Sequence, residues 1–157
     1  MTIKFVFVGK TFQAFIEQGC EEFVKRIGKY NRTEVLVIPD EKRNASLDPS
    51  ALKRSEAQAI LKHIKPEDFL ILLDERGKSF SSVQWAAQLQ KFMNQGPKNL
   101  VFLVGGAFGF DEAIYQRSNF QWSLSNLTFS HQMVRLFLIE QVYRAFTILK
   151  NEPYHNE

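Results

Sequence analysis

The sequence has little of several features that would assign it quickly to a class of protein. It contains a single cysteine, Cys20, among 157 residues, so an internal disulfide framework is excluded. Its longest apolar runs, Phe69–Leu73 and Leu100–Val104, are far shorter than the roughly 20 residues of a membrane span. The opening segment MTIKFVFVGK carries a lysine within its apolar stretch and no cleavage-site pattern, which predicts a strand rather than a signal peptide. We therefore expect a cytoplasmic protein in which Cys20 has an inert packing role.

Acidic residues are missing from a long part of the second half. No Asp or Glu occurs between Glu112 and Glu140, although Arg117 and Arg135 lie in that stretch. From residue 76 to residue 150, eight lysines and arginines stand against three acids. An acid-free segment of this length suits a phosphate-bearing partner, a buried interface or simply core, and the sequence leaves these alternatives open.

What the sequence does contain is a regular alternation of strand and helix patterns. Apolar runs typical of strands are IKFVFVG, EVLVIP, DFLILLD and LVFLVGG. Apolar residues recur at helical spacing between them, Pro49 is placed to open one helix and Ser81 or Ser82 to cap another, and the charged stretch DEKRNASLDPS is predicted to be a loop. This alternation predicts an α/β fold with a mostly parallel sheet and helices on both faces. The length predicts a single domain over residues 1–157.

The segment after the fourth strand is less regular. DEAIYQR is predicted to be a short helix, FQWSLSNLTF to hold one or two very short strands, and Ser130 to cap a final helix that ends near Lys150. Apolar residues surround this last helix almost completely, more than one face against a sheet would bury. We therefore expect a homodimer that uses this helix.

Three glycines, Gly105, Gly106 and Gly109, follow the fourth strand in the stretch LVGGAFGF. Bare backbone at such a turn can approach a ligand closely. A dinucleotide-binding turn would require a further glycine where Val104 stands and an acidic residue about 20 positions later, which this acid-free region lacks. The stretches GKT and GKS, which imitate a phosphate loop, hold Lys4 and Leu72 where Walker geometry requires a glycine.

Metal and covalent chemistry have weak support in the sequence. His63, His131 and His155 are scattered without ligand spacing, and no second cysteine exists to complete a zinc site. The serine nucleophile motif G-x-S-x-G does not occur. We therefore expect no metal, and the features left to explain are the glycine turn, the acid-free segment rich in hydroxyls and amides, and the surplus of basic residues.

The stretch FLVGGAFGF, followed by LSNLTFSHQMVRLFLIEQVYRAFTILKNEPYH, resembles the RlmH family of ribosomal large subunit (23S rRNA) pseudouridine N3-methyltransferases, members of the SPOUT class. The resemblance extends over the whole chain and includes VGK, DERGK and the terminal PYH. It implies an α/β fold with a SPOUT-type C-terminal trefoil knot, and S-adenosyl-L-methionine as the cofactor. It also implies methyl transfer to N3 of a pseudouridine in helix 69 of 23S rRNA within the assembled ribosome.

The same resemblance implies which residues form the sites. Leu73 is expected to end the third strand beside the cofactor, and Gly105 to open the turn beneath it. The loop expected to wrap the adenine consists of Leu124, Ser125, Asn126, Leu127, Thr128 and Phe129. The candidates for catalysis and substrate positioning are His131, Arg135, Arg144, Tyr154 and His155. Structural alternatives stay open for them, among them a helix cap, a salt bridge or core packing, and a frayed terminus.

Three other functions remain to be weighed. A non-enzymatic RNA-binding module would account for the basic surplus but would not need a glycine turn followed by an acid-free apolar loop. A tRNA methyltransferase of the same class would share the cofactor loop and differ in substrate. A nucleotide-dependent dehydrogenase or GTPase is the third alternative, and binding of S-adenosylmethionine rather than NAD or GTP would exclude it.

Overall fold

The computed structural model describes residues 1–40, 48–106 and 108–156, and most of the predicted loop DEKRNASLDPS lies outside them. Five strands and five helices are formed within these described residues. The strands are β1 Thr2–Val8, β2 Arg32–Ile38, β3 Asp68–Lys78, β4 Asn99–Val104 and β5 Phe120–Trp122. The helices are α1 Ala14–Ile27, α2 Pro49–Leu61, α3 Ser82–Asn94, α4 Glu112–Arg117 and α5 Met133–Leu149.

All five strands lie in one parallel sheet, in the order β2-β1-β4-β3-β5. The predicted α/β class and parallel sheet are confirmed. The strand order places β4 at the centre and β3 beside it, so the glycine turn after β4 and the residues that end β3 meet at one edge of the sheet. Because the carboxyl ends of parallel strands share that edge, ligand sites form there in open α/β sheets.

Helices cover both faces of the sheet because the buried strands are apolar on both sides. Alternate residues such as Phe5 and Phe7 pack into one cluster with α1, α3 and α5, whereas Val6 and Val8 belong to a second cluster with α2 and α4. Complete burial of one such side chain contributes about 1.5–3 kcal/mol. Cys20 lies in the first cluster, where burial raises the pKa of its thiol to about 11, in accord with the inert packing role expected for it.

The predicted helix starts are confirmed at two places. Asp48, the residue before Pro49, accepts hydrogen bonds from the backbone N–H groups of Ser50 and Ala51 at 2.6 and 3.1 Å. Ser81 and Gln84 form a reciprocal capping box at the start of α3. Such caps stabilise a helix by about 1 kcal/mol because they satisfy N–H groups that have no partner inside the helix.

Strand β3 is longer than the sequence predicts and continues through Lys78. It does so because its end pairs with β5, where both Leu73 and Lys78 lie opposite Trp122 around a bulge. At Gly77 the two chain segments touch, since a Cβ there would lie 2.7 Å from backbone atoms of Gln121 and Trp122. A side chain of any size at residue 77 would therefore push the two segments apart.

Helix α5 lies between α1 and α3 and packs against both. Its side chains Leu138, Ile139, Val142 and Phe146 are buried within the same chain. The sequence indicates that the sheet alone cannot bury every apolar residue of this helix, and these four are buried because α1 and α3 cover the flanks that the sheet does not. Other apolar residues of the helix, among them Leu136 and Tyr143, stay half-buried. Phe137, at 39% exposure, is the one large apolar side chain of this described helix that is left substantially open. No helix in the described ranges has the length and apolar character to span a membrane.

Candidate active site

A cleft of about 640 Å³ opens at the carboxyl edge of the sheet. It is lined by Leu73, which lies within β3 and does not end it as expected, and by Val104 and Trp122 at the ends of β4 and β5. The glycine turn borders one side of it, and the loop 123–131 borders the other. The volume lies within the range of roughly 300–1,000 Å³ that is typical of sites for small molecules and cofactors.

The glycine turn is shaped by two close approaches. A Cβ on Gly105 would lie 2.7 Å from Cε1 of Phe110, so the absence of a side chain lets that aromatic ring pack directly on the backbone. The backbone N–H of Gly106 donates to Glu56 Oε1 at 3.3 Å, and a Cβ there would meet the same carboxylate at 2.9 Å. Gly109 adopts φ +76°, a conformation that favours glycine. The turn therefore needs all three glycines, for close packing at two positions and for backbone conformation at the third.

The loop opposite the turn is stabilised by its own hydroxyl groups. Ser123 Oγ donates to the carbonyl of Ser125 at 3.0 Å, and Ser125 Oγ accepts from the N–H of Leu127 at 3.0 Å. At the end of the loop, Ser130 Oγ, which was predicted to cap the last helix, accepts from the N–H of Met133 at 3.1 Å. Met133 is the first residue of α5. The wall carries no acidic or lysine side chain, so it offers a ligand apolar surface, hydroxyls and backbone groups.

Most of the residues expected to bind a cofactor border this cleft. Those on its wall are Leu73, Gly105, Leu124, Ser125, Leu127, Thr128 and Phe129. Asn126 belongs to the same loop but does not border the cleft. Of the five catalytic candidates, His131 lies on the cleft wall.

The rim of the cleft holds a polar cluster that sequence reasoning missed. Tyr115 donates its hydroxyl hydrogen to Asp74 Oδ2, and Arg76 Nη2 donates to Tyr115 Oη at 2.8 Å. Burial alone would raise the pKa of Asp74, but hydrogen bonds from Tyr115 and Arg76 lower it below its ordinary value. The pKa of Tyr115 is raised, first by burial and then by the Asp74 carboxylate. No sequence signal links Asp74 to Tyr115, because the contact depends on how α4 is placed beside β3.

Arg135 is buried away from the cleft, although the sequence suggested a catalytic role for it. Its guanidinium donates to the carbonyls of Val8 at 2.7 Å and Gly9 at 3.0 Å, and to Thr11 Oγ1 at 3.0 Å. The side chain is fully inaccessible to solvent, and burial lowers its pKa. In this arrangement Arg135 supplies hydrogen-bond donors to the carbonyl groups at the end of β1 and so links α5 to that strand.

The remaining candidates, Arg144, Tyr154 and His155, are brought together at the other end of α5. Glu140 Oε1 accepts from Arg144 Nη2 at 2.6 Å and from the Tyr154 hydroxyl at 2.9 Å, while Arg144 Nη1 lies 3.3 Å from His155 Nδ1. The Tyr154 ring also packs on Tyr143, with centroids 4.8 Å apart. Burial raises the pKa of Tyr154, and the Glu140 carboxylate adds to this.

Because Pro153 cannot continue a helix, the sequence predicts that Tyr154 and His155 leave α5 as a short extended segment, and the structure corrects this prediction. The tail turns at Asn151, which has φ 54°, and the N–H of Glu152 donates to the carbonyl of Thr147 at 2.9 Å. From Val134, the residue of α5 on the cleft wall, to Arg144 the helix rises about 15 Å. The cluster of Arg144, Tyr154 and His155, called the tail cluster below, therefore lies away from the cleft of its own chain. Among the described residues, no group of three His, Cys, Asp or Glu side chains is placed to hold a metal ion.

Comparisons with known proteins identify the family of the chain. The family described as "Predicted SPOUT methyltransferase" matches residues 1–155. A protein of Christiangramia forsetii is 49% identical over 156 residues, which is 99% of both chains. Proteins of Flavobacterium johnsoniae and Parabacteroides distasonis are 48% and 47% identical over 157 residues, the whole of both chains. All three relatives are named "Ribosomal RNA large subunit methyltransferase H". The chain therefore belongs to the SPOUT methyltransferase family, whose α/β fold carries a C-terminal trefoil knot.

Proposed function

We propose that this protein is an S-adenosyl-L-methionine-dependent methyltransferase that modifies N3 of a pseudouridine in helix 69 of 23S rRNA. The observation that carries the proposal is the cleft between the glycine turn and the loop 123–131, a loop without acidic or lysine side chains, in a chain whose full-length relatives are named as ribosomal RNA large subunit methyltransferases. Its substrate is the RNA of the assembled ribosome, and its location is the cytoplasm.

The chemistry of the cleft suits S-adenosylmethionine. An adenine needs flat apolar walls and a few hydrogen bonds, and Leu73, Leu124 and Phe129 supply apolar surface close to backbone and hydroxyl groups. A sulfonium is already positive and gains nothing from nearby lysines, which the cleft wall lacks. Gly105 and Phe110, whose ring packs on the bare backbone of Gly105, complete the lining of the cleft.

When bound, S-adenosylmethionine would supply a methyl group activated by its positive sulfur. The work of this chain is then to hold the two reactants in line and to assist loss of the proton from N3. Leu73, Gly105 and the loop 123–131 would hold the cofactor and keep water from its apolar parts. Among the catalytic candidates, the imidazole of His131 is the titratable group beside this space.

The tail cluster joins this chemistry only through a second subunit. Within one chain, α5 rises about 15 Å between Val134 on the cleft wall and Arg144, so Arg144, Tyr154 and His155 lie away from a base bound there. A second copy of the chain, packed against the first, would bring its tail cluster to this cleft. We therefore propose a homodimer in which each site combines the cleft of one subunit with the tail of the other.

An apolar surface near the start of α5 is available for such a dimer. Phe12 is 76% exposed and Phe15 60% exposed, and Phe137 is the open residue of α5. The N–H of Phe12 donates to Gln132 at 2.9 Å, which places it beside the first turn of α5. Large aromatic side chains are enriched at interfaces between subunits relative to the rest of the surface.

One experiment tests the function. Ribosomes and total tRNA, prepared from a strain that lacks the gene, are incubated with the purified protein and S-adenosylmethionine labelled in the methyl group. We expect label in 23S rRNA of ribosomes, and digestion should identify the product as N3-methylpseudouridine. Label in tRNA instead would favour the related tRNA enzyme, and absence of any S-adenosylmethionine binding in calorimetry would contradict the proposal as a whole.

A further inference from the structure

The side chain of Arg76 is exposed to solvent but is held in one place by several contacts. Its side chain is 73% exposed on the extended end of β3. It is nevertheless fixed at three points: Nη2 donates to Tyr115 Oη at 2.8 Å, the guanidinium lies 5.5 Å from the centre of the Tyr115 ring, and Nε lies 3.5 Å from Asp74 Oδ1. Fixing a long side chain in solvent costs conformational entropy, and an exposed ion pair returns little stability. Stability of the fold therefore does not account for this arrangement.

The group that restrains Arg76 is itself firmly placed. Asp74 is only 8% exposed, and it accepts from the Arg76 backbone N–H at 2.8 Å as well as from Tyr115. The Tyr115 ring meets Phe110 edge to face at 5.9 Å, which links the cluster to the glycine turn. The guanidinium is thus oriented by the same residues that shape the cleft.

The donors left over on Arg76 are aimed at a partner outside the chain. Within residues 1–40, 48–106 and 108–156, Nη1 makes no hydrogen bond, so both of its N–H groups remain available. Asp74 is already satisfied by Tyr115 and the Arg76 amide, and the opposite wall, from residue 123 to 131, carries no acid. A planar guanidinium held over an aromatic ring is well suited to an oxyanion.

We propose that Arg76, held in place by Tyr115 and Asp74, binds a backbone phosphate of the RNA substrate beside the target base. The inference rests on the proposed function and adds a contact at the rim of the same site. The phosphate is favoured over the carboxylate of the cofactor because the guanidinium lies open to solvent at the rim, where a large substrate approaches. Glu75 also borders the cleft. Its carboxylate would repel a phosphate but would attract the ammonium of an amino-acid group, so replacing Glu75 tests which of the two ligands Arg76 binds.

The experiment compares Arg76→Gln with Arg32→Gln. Arg32 is a matched control, since it is 77% exposed, is paired with Glu34 at 2.9 Å and lies on β2 at the far edge of the sheet. For Arg76→Gln we expect KM for ribosomes to rise about three- to tenfold, with kcat and the Kd for S-adenosylmethionine unchanged. The slope of log KM against the logarithm of the salt concentration should fall by roughly 0.7–1, which is the change expected for the loss of one phosphate contact. Arg32→Gln should change neither quantity.

Two further variants separate charge from orientation and phosphate from cofactor. Tyr115→Phe keeps the ring and the charge of Arg76 but removes the hydroxyl between Arg76 and Asp74, so KM should rise while the salt slope stays as in the wild type. Glu75→Gln should lower KM for ribosomes or leave it unchanged. If Arg76→Gln and Glu75→Gln both weaken S-adenosylmethionine binding instead, Arg76 serves the cofactor and the inference is wrong.

The wild-type protein in the same assay separates failure of the phosphate contact from failure of the proposed function. Active wild type with an Arg76→Gln variant of equal KM and equal salt slope would overturn the phosphate contact alone. Wild type that neither binds S-adenosylmethionine nor methylates ribosomes would overturn the proposed function, and this inference with it.

Discussion

At the scale of single residues, the shape of the cleft depends on a position that has no side chain. Gly105 allows the ring of Phe110 to pack on the backbone, with Cε1 only 2.7 Å from where a Cβ would lie. A larger residue at this position would displace Phe110 first, and the cleft would change because that ring moves.

We therefore expect Gly105→Val to lower affinity for S-adenosylmethionine at least tenfold and to cost about 1–3 kcal/mol of stability. Calorimetric titration and urea unfolding measure the two effects. Compared with Gly105→Ala alone, the double variant Gly105→Ala/Phe110→Leu should recover part of the affinity for S-adenosylmethionine, because the smaller and more flexible Leu side chain can move away from the new methyl group. Normal affinity in Gly105→Val would place the cofactor elsewhere.

A second residue-scale prediction concerns Arg135. Replacing it by Met should destabilise the fold by about 3 kcal/mol or more, because the carbonyls of Val8 and Gly9 would remain buried without their donor. The control Arg26→Met removes an exposed pair with Glu22 and should change the free energy of unfolding much less. Both are measured by urea unfolding. An Arg135→Met protein of wild-type stability but without methyl transfer would restore the chemical role that the sequence suggested.

The sequence contained a signal for the burial of Arg135 that the charge obscured. Leu138, Ile139 and Val142 follow it at spacings of three, four and seven, so all four residues lie on one helical stripe. A charged residue on such a stripe is either paired or bonded to backbone. The rim cluster of Asp74, Arg76 and Tyr115 gave no comparable signal, because its members lie on separate elements and meet only after folding.

At the scale of elements, the tail after α5 is the segment that the structure changes most. Tyr154 and His155 were expected to extend away from the helix, but Pro153 and the turn at Asn151 direct the chain back onto it. The strands, in contrast, were predicted well, because their runs of β-branched and aromatic residues are local features. The extension of β3 to Lys78 was missed since pairing with β5 creates it.

Deletion of residues 154–157 should nearly abolish methyl transfer to ribosomes while the Kd for S-adenosylmethionine changes less than about twofold. The loss of the Tyr154 bond to Glu140 and of its packing on Tyr143 should cost about 1–2 kcal/mol. A single-turnover assay gives the rate, and thermal unfolding gives the stability. Deletion of residues 156–157 alone is the control and should retain the rate. If the longer deletion is equally active, the tail is passive and His131 becomes the remaining candidate of the cleft.

At the scale of the whole molecule, the alternation of strands and helices was enough to predict the class but not the order of the strands. Short-range patterns carry no information on which strands neighbour each other, so β4 at the centre came from the structure. The knot came from the resemblance and the family, because no periodicity encodes a chain crossing. Likewise, the count of apolar residues in α5 overstated the surface left for a partner, since α1 and α3 cover most of it.

The homodimer is tested by Phe137→Glu, which places a charge on the exposed aromatic residue of α5. We expect the dimer to dissociate with a Kd raised about 100-fold or more, and sedimentation velocity measures it. Val35→Glu is the matched control, because Val35 is 46% exposed on the edge strand β2 and its change should leave the dimer intact. Phe146→Glu would instead test folding, because Phe146 is 2% exposed and stacks on Tyr30 at 5.3 Å. A stable Phe137→Glu dimer would place the interface on another surface.

The close contact at Gly77 has a consequence for how the chain is made. The backbone around residue 77 touches that of Gln121 and Trp122 without room for a Cβ, and Lys78 pairs with Trp122 in the sheet. The end of β3 therefore finds its neighbour only after the last quarter of the chain has left the ribosome exit tunnel. Until then the residues that follow Asp74 have no strand to pair with, so a nascent chain that stalls before residue 120 would expose them to proteases.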